Sequence, residues 1–456
     1  AIIRVLLKQM RYFALLLAAT VGYCQQFTSG QAARLVIGQP SFTEEHPGEY
    51  DPEEPEKVLA SQSILGGVSG LAYANNRLYA VDSNRVSSDP INNRVMIYSD
   101  IANLVPKPTD AFTQGSRCPA CLGPASLVLG QPDFSSTEMS LSNKGFRLPT
   151  AVATDGVKVA VTDTNHNRVL IWNSPPTYNG QPADVVIGQA DFTTVKPAGT
   201  DPSSLRGPQG AWFQNGKLFI ADTQNHRILI YNSVPTQNNA SADIVIGQPD
   251  FFTAKEPTAD QILSGKFDYA TQSNLLNPVS VASDGTRLFV ADLGHNRVLI
   301  WNSIPTSNSQ PADVVLGQPD FNSAMPNNAS KVCESTGKDE DENLLYPARC
   351  ERTINFPRFV LPQGNQLFVA DGGNDRVLVW NNIPTQNTAP ADIVLGQINF
   401  QVNNTSDSAF PLKVTASDTL RAPTSLTHDG TNLYVSDTFN RRILIFTPGE
   451  NVVPYS

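Results

Sequence analysis

One fifteen-residue pattern governs what this chain can fold into. It stands as LFVADLGHNRVLIWN at 288–302 and recurs in close variants at 159–173, 218–232, 367–381 and 433–447. A sixth copy, at 78–98, carries seven extra residues between Asp82 and Arg94. Each copy is an apolar run, a short polar turn and a second apolar run, which reads as strand, tight turn, strand. Such a unit cannot bury its own apolar face. Six of them in one chain imply neighbours stacked on one another, which is the signature of a repeat architecture.

Two further signatures complete the unit. Short β-branched runs closed by Gly-Gln recur at 35–42 (LVIGQPSF), 127–134 (LVLGQPDF), 185–192, 244–251, 314–321 and 393–400. Each reads as a strand and its stop. Upstream of every central hairpin lies another short strand, at 70–73, 151–154, 210–213, 280–283, 358–361 and 425–428. A turn with Gly or Asn, such as Asp155-Gly156, joins it to the hairpin. One unit is therefore four strands, A to D. No helical period competes over any long window. The expected fold is all-β: a six-bladed β-propeller of four-stranded antiparallel blades. The phase of the repeats adds to this. The first repeat segment, at 35–39, is a lone D strand, and the last, at 425–447, holds A, B and C without D. The N-terminal strand is expected to join the last blade and close the ring, removing an exposed edge.

The pattern Asp-x-x-Asn/His-x-Arg-Val/Ile-Leu after an apolar strand resembles NHL repeats. It is carried by Asp163 and Arg168, Asp222 and Arg227, Asp292 and Arg297, Asp371 and Arg376, and Asp437 and Arg442. The first copy departs from it through the insertion at 83–93. The resemblance covers nearly everything after residue 24 and is similar to exported bacterial NHL-repeat proteins with a Gly-Gln-Pro-Asp-Phe strand end. It implies a binding surface. A minority of related six-bladed propellers are metal-dependent lyases or lactonases, which sets the alternative.

The division expected from these features is a signal region at 1–24, one propeller at 25–447 and a tail at 448–456. Arg11 precedes an apolar run at 12–21, and polar residues begin at Gln25, as in an export signal, with Met10 a plausible start. The run is too short to span a membrane. Tyr23 stands where a lipoprotein site before Cys24 wants a small residue. The expected location is secreted, periplasmic or at the cell surface. The other four cysteines suit disulfides in such a compartment, most simply Cys118–Cys121 and Cys333–Cys350. Beyond residue 24 the chain holds 29 basic and 42 acidic residues without basic clusters, which argues against nucleic acid and anionic membranes as partners.

Repetition sorts the candidate residues. An active site needs its residues once, so the Asp and Arg present in every unit read as scaffold. So do the C-strand aromatics Tyr98, Trp172, Tyr231, Trp301, Trp380 and Phe446. His166, His226 and His295 lie in B–C turns, but His226 is one place out of phase and the turns sit away from the axis, so no metal site is expected. Unrepeated residues on or beside the A strands mark the channel mouth: Gln209, Trp212, Asn277, Arg358 and His428. They form no ring of acids or histidines, and no nucleophile motif or phosphate-cradling glycine loop is present.

Loop lengths point to one face. C–D connectors are 11 residues in four blades, apart from the cysteine-bearing loop at 99–125, whereas D–A connectors run from 14 residues (135–148) to 35 (322–356), and they emerge beside the B–C turns. Variable loops on a rigid scaffold are where function usually lies. Glu44, Glu45, Glu53, Glu54, Glu56 and the run 339–342 make that face acidic, suiting a basic partner or a divalent cation such as calcium. The expected function is recognition of a protein or glycan by the D–A face without a cofactor. The alternative is a metal-dependent lyase or lactonase at the channel mouth.

Overall fold

A computed structural model describes residues 26–46, 48–54, 57–83, 91–105, 123–196, 199–263, 269–403 and 415–449. The signal region, the tail beyond 449, Glu56, Cys118 and Cys121 lie outside the described residues.

The repeated units fold as six four-stranded antiparallel sheets in a ring, a six-bladed β-propeller. Blade 4 is representative. Its strands are Pro278–Ser283 (A), Leu288–Asp292 (B), Arg297–Trp301 (C) and Val314–Leu316 (D), paired in that order. The B–C register pairs Asp292 with Arg297 and Leu288 with Trp301. Strands B to D are buried on both faces, because each blade is covered by its two neighbours.

The core is accordingly a set of layers between blades. The layer between blades 3 and 4 joins Phe219, Ile228 and Ile230 to Val281, Leu299 and Trp301. Each C-strand aromatic enters such a layer. Three tryptophans also donate their indole N–H to a backbone carbonyl: Trp172 to Gln181, Trp301 to Gln310 and Trp380 to Ala389.

Blade 6 contains Leu426–His428, Leu433–Asp437 and Arg442–Phe446, and its fourth strand is Leu35–Ile37. Leu35, Val36 and Ile37 pair with Ile445, Leu444 and Ile443. The two-residue period of a strand sends Val36 into the layer with blade 5 and Leu35 and Ile37 into the layer with blade 1. The closure reaches further than the strand. In blades 2 to 5 an Asn of the C–D connector (Asn179, Asn238, Asn308, Asn387) accepts a backbone N–H from the D strand of the preceding blade. For blade 5 the same bond, from Val394, goes to the Ser29 hydroxyl, and Gly30 donates to the Val394 carbonyl. Residues before the strand thus replace the missing connector of blade 6.

Gly-Gln ends each D strand for a steric reason. Gly38, Gly130, Gly188, Gly247, Gly317 and Gly396 all have φ between +84° and +93°. At Gly247 a Cβ would lie 2.6 Å from the Leu275 side chain.

Candidate functional site

The B–C turn is built around a buried carboxylate. Asp292 Oδ2 accepts bonds from Arg297 Nε and His295 Nδ1, both at 2.8 Å, while Oδ1 accepts the Leu276 amide at 2.7 Å. Burial opposes the Asp292 charge, but His295 and Arg297 outweigh it and hold the carboxyl below its ordinary range. The same pairing recurs in Asp163–Arg168, Asp222–Arg227, Asp371–Arg376 and Asp437–Arg442, and in Asp82–Arg94 despite the insertion. All these side chains are fully buried.

The Arg does more than pair. Arg297 Nη1 donates to the carbonyl of Phe321, where the D–A loop leaves its blade. Its Nη2 donates to Thr271 and Asn274, where the preceding D–A loop arrives. Equivalent bonds run from Arg168 to Phe192, Ser142 and Gly145, and from Arg376 to Phe400, Cys350 and Thr353. The Gln after each D strand adds a second tie: Gln248 Nε2 donates to His226 and Lys255, and Gln318 Nε2 to Asn296 and Met325. The repeated residues therefore anchor the roots of the D–A loops.

Three residues after the Asp in blades 2 to 6, and ten after it in blade 1, either His or Asn supplies the second side-chain donor. His166 and His295 do so through Nδ1, and Asn92, Asn225, Asn374 and Asn440 through Nδ2, all at 2.8 Å. The next residue is left-handed in every blade, with φ between +46° and +57°. Its side chain reaches the following blade. Asn93, Asn167 and Asn296 accept the amides of Leu148, Gly207 and Phe356 through Oδ1, and Asp375 accepts that of Ala422. His226 does the same through Nδ1 for Asn277 at 3.1 Å. Arg441 reverses the polarity and donates to the Gly66 carbonyl. The turn histidines are thus spread over separate blades. Among the described residues no three His, Cys, Asp or Glu side chains converge to hold a metal ion.

The five channel residues do not come together. Trp212 and His428 line a polar cavity of about 560 Å³ at the A–B end of the channel, with Tyr73, Gln214, Asp284 and Gln363. Trp212 reaches across to the layers of blades 4 to 6 and donates its indole N–H to the Ser283 carbonyl. His428 accepts the Gly430 amide through Nδ1, and burial lowers its pKa to about 4. Gln209, Asn277 and Arg358 sit at the other end, where the A strands begin, beneath the D–A loops. Gln209 bonds Ala221 through its backbone.

That end carries the varied loops. They include the hairpins Glu49–Tyr50/Val58–Leu59 and Gly337–Lys338/Leu344–Leu345, the latter beside the Cys333–Cys350 disulfide. The acidic run 339–342 tips the second hairpin, where Asp339 accepts the Asp341 and Asn343 amides. Leu344 and Leu345 stand exposed next to it. Between blades 3 and 4 the loops border a half-open cavity of about 320 Å³. Lys255, Glu256, Tyr269, Asn274, Leu275 and His295 contribute to its wall. Tyr269 and Glu256 escaped the sequence reading because nothing local marks them. His295 carried a weak signal, a histidine where most blades use Asn.

No family model matches the chain, and no curated protein matches it. Solved structures similar to it include a streptogramin B lyase (TM-score 0.39, 9% identity, 85% of this chain and 94% of that one). Another is virginiamycin B lyase from Staphylococcus aureus (0.39, 11%, 84% and 94%). A third is a nidogen/laminin complex (0.30, 13%, 74% and 85%). None of them bears on function at these values. The fold stands on the strand pairing, and no helix among the described residues is long and apolar enough to cross a membrane.

Proposed function

We propose that this chain is an exported binding propeller that recognises a polypeptide or glycan through its D–A loop face. One observation carries the reading. The six Arg side chains anchor the D–A loops by the same bonds, while the loops between those anchors differ in length, secondary structure and charge. Rigid, identical roots with varied tips are what a recognition surface requires. The polar character of the loops and the acidic hairpin at 337–345 suit a ligand rich in hydrogen-bond donors.

The test uses a glycan array and a peptide display library on the full chain and on a variant whose segment 334–349 is replaced by a short Gly-Ser link. A second variant shortens the C–D connector 303–311 on the opposite face. Loss of a selected ligand in the first variant alone, with unchanged circular dichroism, supports the reading. Binding that survives the 334–349 replacement but not the connector change overturns it.

A further inference from the structure

We infer that the cavity between blades 3 and 4 is a subsite for one neutral pyranose ring, with His295 Nε2 accepting a ligand hydroxyl and Tyr269 lying along the ring's C–H face. The inference rests on the binding reading above and names its ligand class.

His295 is one of two histidines at its repeat position, with His166 of blade 2. Asn meets the Asp at this place in four blades through Nδ2, and in Asn92 and Asn225 the Oδ1 stays buried without a partner. A histidine meets the same carboxylate with Nδ1 and keeps a second nitrogen. In blade 4 that nitrogen, Nε2, is buried and has no hydrogen-bond partner, in a side chain only 1% exposed. A buried polar atom without a partner is destabilising, and in blade 4 that atom belongs to a side chain on the wall of a cavity. The ionised Asp292 places the proton on Nδ1, which leaves a lone pair on Nε2. A ligand that satisfies it must donate. Blade 2 also uses a histidine, His166, but the cavity is not there.

The remaining wall narrows the chemistry. The Tyr269 ring leans over His295 with centroids 5.6 Å apart and planes tilted 42°. Asn274 holds the Tyr269 carbonyl through Nδ2 at 3.0 Å, and Arg297 holds the Asn274 carbonyl at 2.8 Å, so the platform is tied to the scaffold. A hydroxyl reaches Nε2 when the half-buried Tyr269 ring turns to lie along the ligand. Leu275 supplies an apolar floor. Lys255 disfavours a cationic ligand and Glu256 an anionic one, while the Glu256 carboxylate, 3.3 Å from His226 Nε2, is placed to accept a second hydroxyl. A volume of about 320 Å³ lies at the small end of ligand pockets, which span about 300–1,000 Å³ and suit one ring at the lower limit. A pyranose combines an apolar C–H face with donating hydroxyls and no charge.

The experiment is saturation-transfer NMR followed by titration of the full chain with methyl pyranosides of glucose, galactose, mannose and N-acetylglucosamine. The variants are His295→Asn, His166→Asn and Tyr269→Leu. At least one pyranoside binds the wild type. His295→Asn melts at or above the wild-type temperature, since Asn is native to this position elsewhere, yet loses affinity by about tenfold or more. Tyr269→Leu also weakens binding, and His166→Asn leaves it unchanged. Failure of all four sugars to bind the wild type overturns the inference. So does His295→Asn binding within about twofold of wild type, or a structure in which Nε2 holds only an ordered water while sugar is bound elsewhere. Loss of peptide-library binding on replacing 334–349, with no sugar bound, would leave the broader reading standing while this one falls.

Discussion

Ile37→Ala tests whether a strand at the start of the chain truly completes the last blade. Ile37 is fully buried, pairs with Ile443 and packs in the layer between blades 6 and 1. Ile246, in the D strand of blade 3, is equally buried and pairs with Ile228 at the equivalent place. Its strand is continuous with its own blade. Removing a buried Ile to the β-carbon costs about 2–5 kcal/mol, depending on how far the site collapses. Both substitutions should therefore destabilise alike, lowering the melting temperature by about 2–6 °C for a chain of this size. The closing strand has no covalent link to blade 6, so Ile37→Ala should also release it locally. Limited proteolysis would then cut within 38–46 faster in this variant than in Ile246→Ala. Scanning calorimetry supplies the comparison. If Ile37→Ala melts within about 1 °C of wild type while Ile246→Ala falls as stated, the strand is an accessory and the closure argument fails.

Further expectations follow from individual contacts. Asp222→Ala strands the fully buried Arg227 without its carboxylate and should cost about 3–5 kcal/mol, measured by urea denaturation; a loss below about 1 kcal/mol would contradict the network. Non-reducing peptide mapping should recover the Cys333–Cys350 link, and the double Ser variant should lose about 2–4 kcal/mol, since the bond closes a 17-residue separation. His428 has a folded pKa of about 4 against an ordinary 6.5, because burial disfavours its charge. The unfolded chain therefore takes up this proton first as pH falls. The stabilisation is complete above pH 6.5 and is lost between 6.5 and about 4. His428→Gln should flatten that part of the stability–pH curve, and an unchanged curve would refute the assignment.

The six-bladed architecture was written in the order of the residues. Alternating strands, Gly-Gln stops and B–C turns are local features, and their recurrence needs no knowledge of which blades touch. The strand at 35–37 was legible for the same reason, being a D strand without its blade. The preceding segment was legible only in part. Ser29-Gly30-Gln31 aligns with Asn179-Gly180-Gln181 of blade 2, yet its bond to Val394 becomes evident only when the ring brings residues 365 positions apart together.

What tertiary structure decided was the use of individual atoms. Asp292, His295 and Arg297 are adjacent in sequence, and their repetition marked them as scaffold. Repetition cannot say that Asn would have satisfied the same carboxylate, nor that in blade 4 the extra imidazole nitrogen is left buried and without a partner in a side chain that borders a cavity. That depends on the segment 269–277 placing Tyr269 beside His295. The channel residues make the same point. Trp212, His428, Gln209, Asn277 and Arg358 all belong to A strands or their edges, but a strand has two ends. Which end each residue occupies is set by strand direction through the ring, and it separates them onto opposite faces. Sequence determines a repeat's period because that period is a backbone property. A site depends on where side chains from distant segments meet, and only the closed ring brings those segments together.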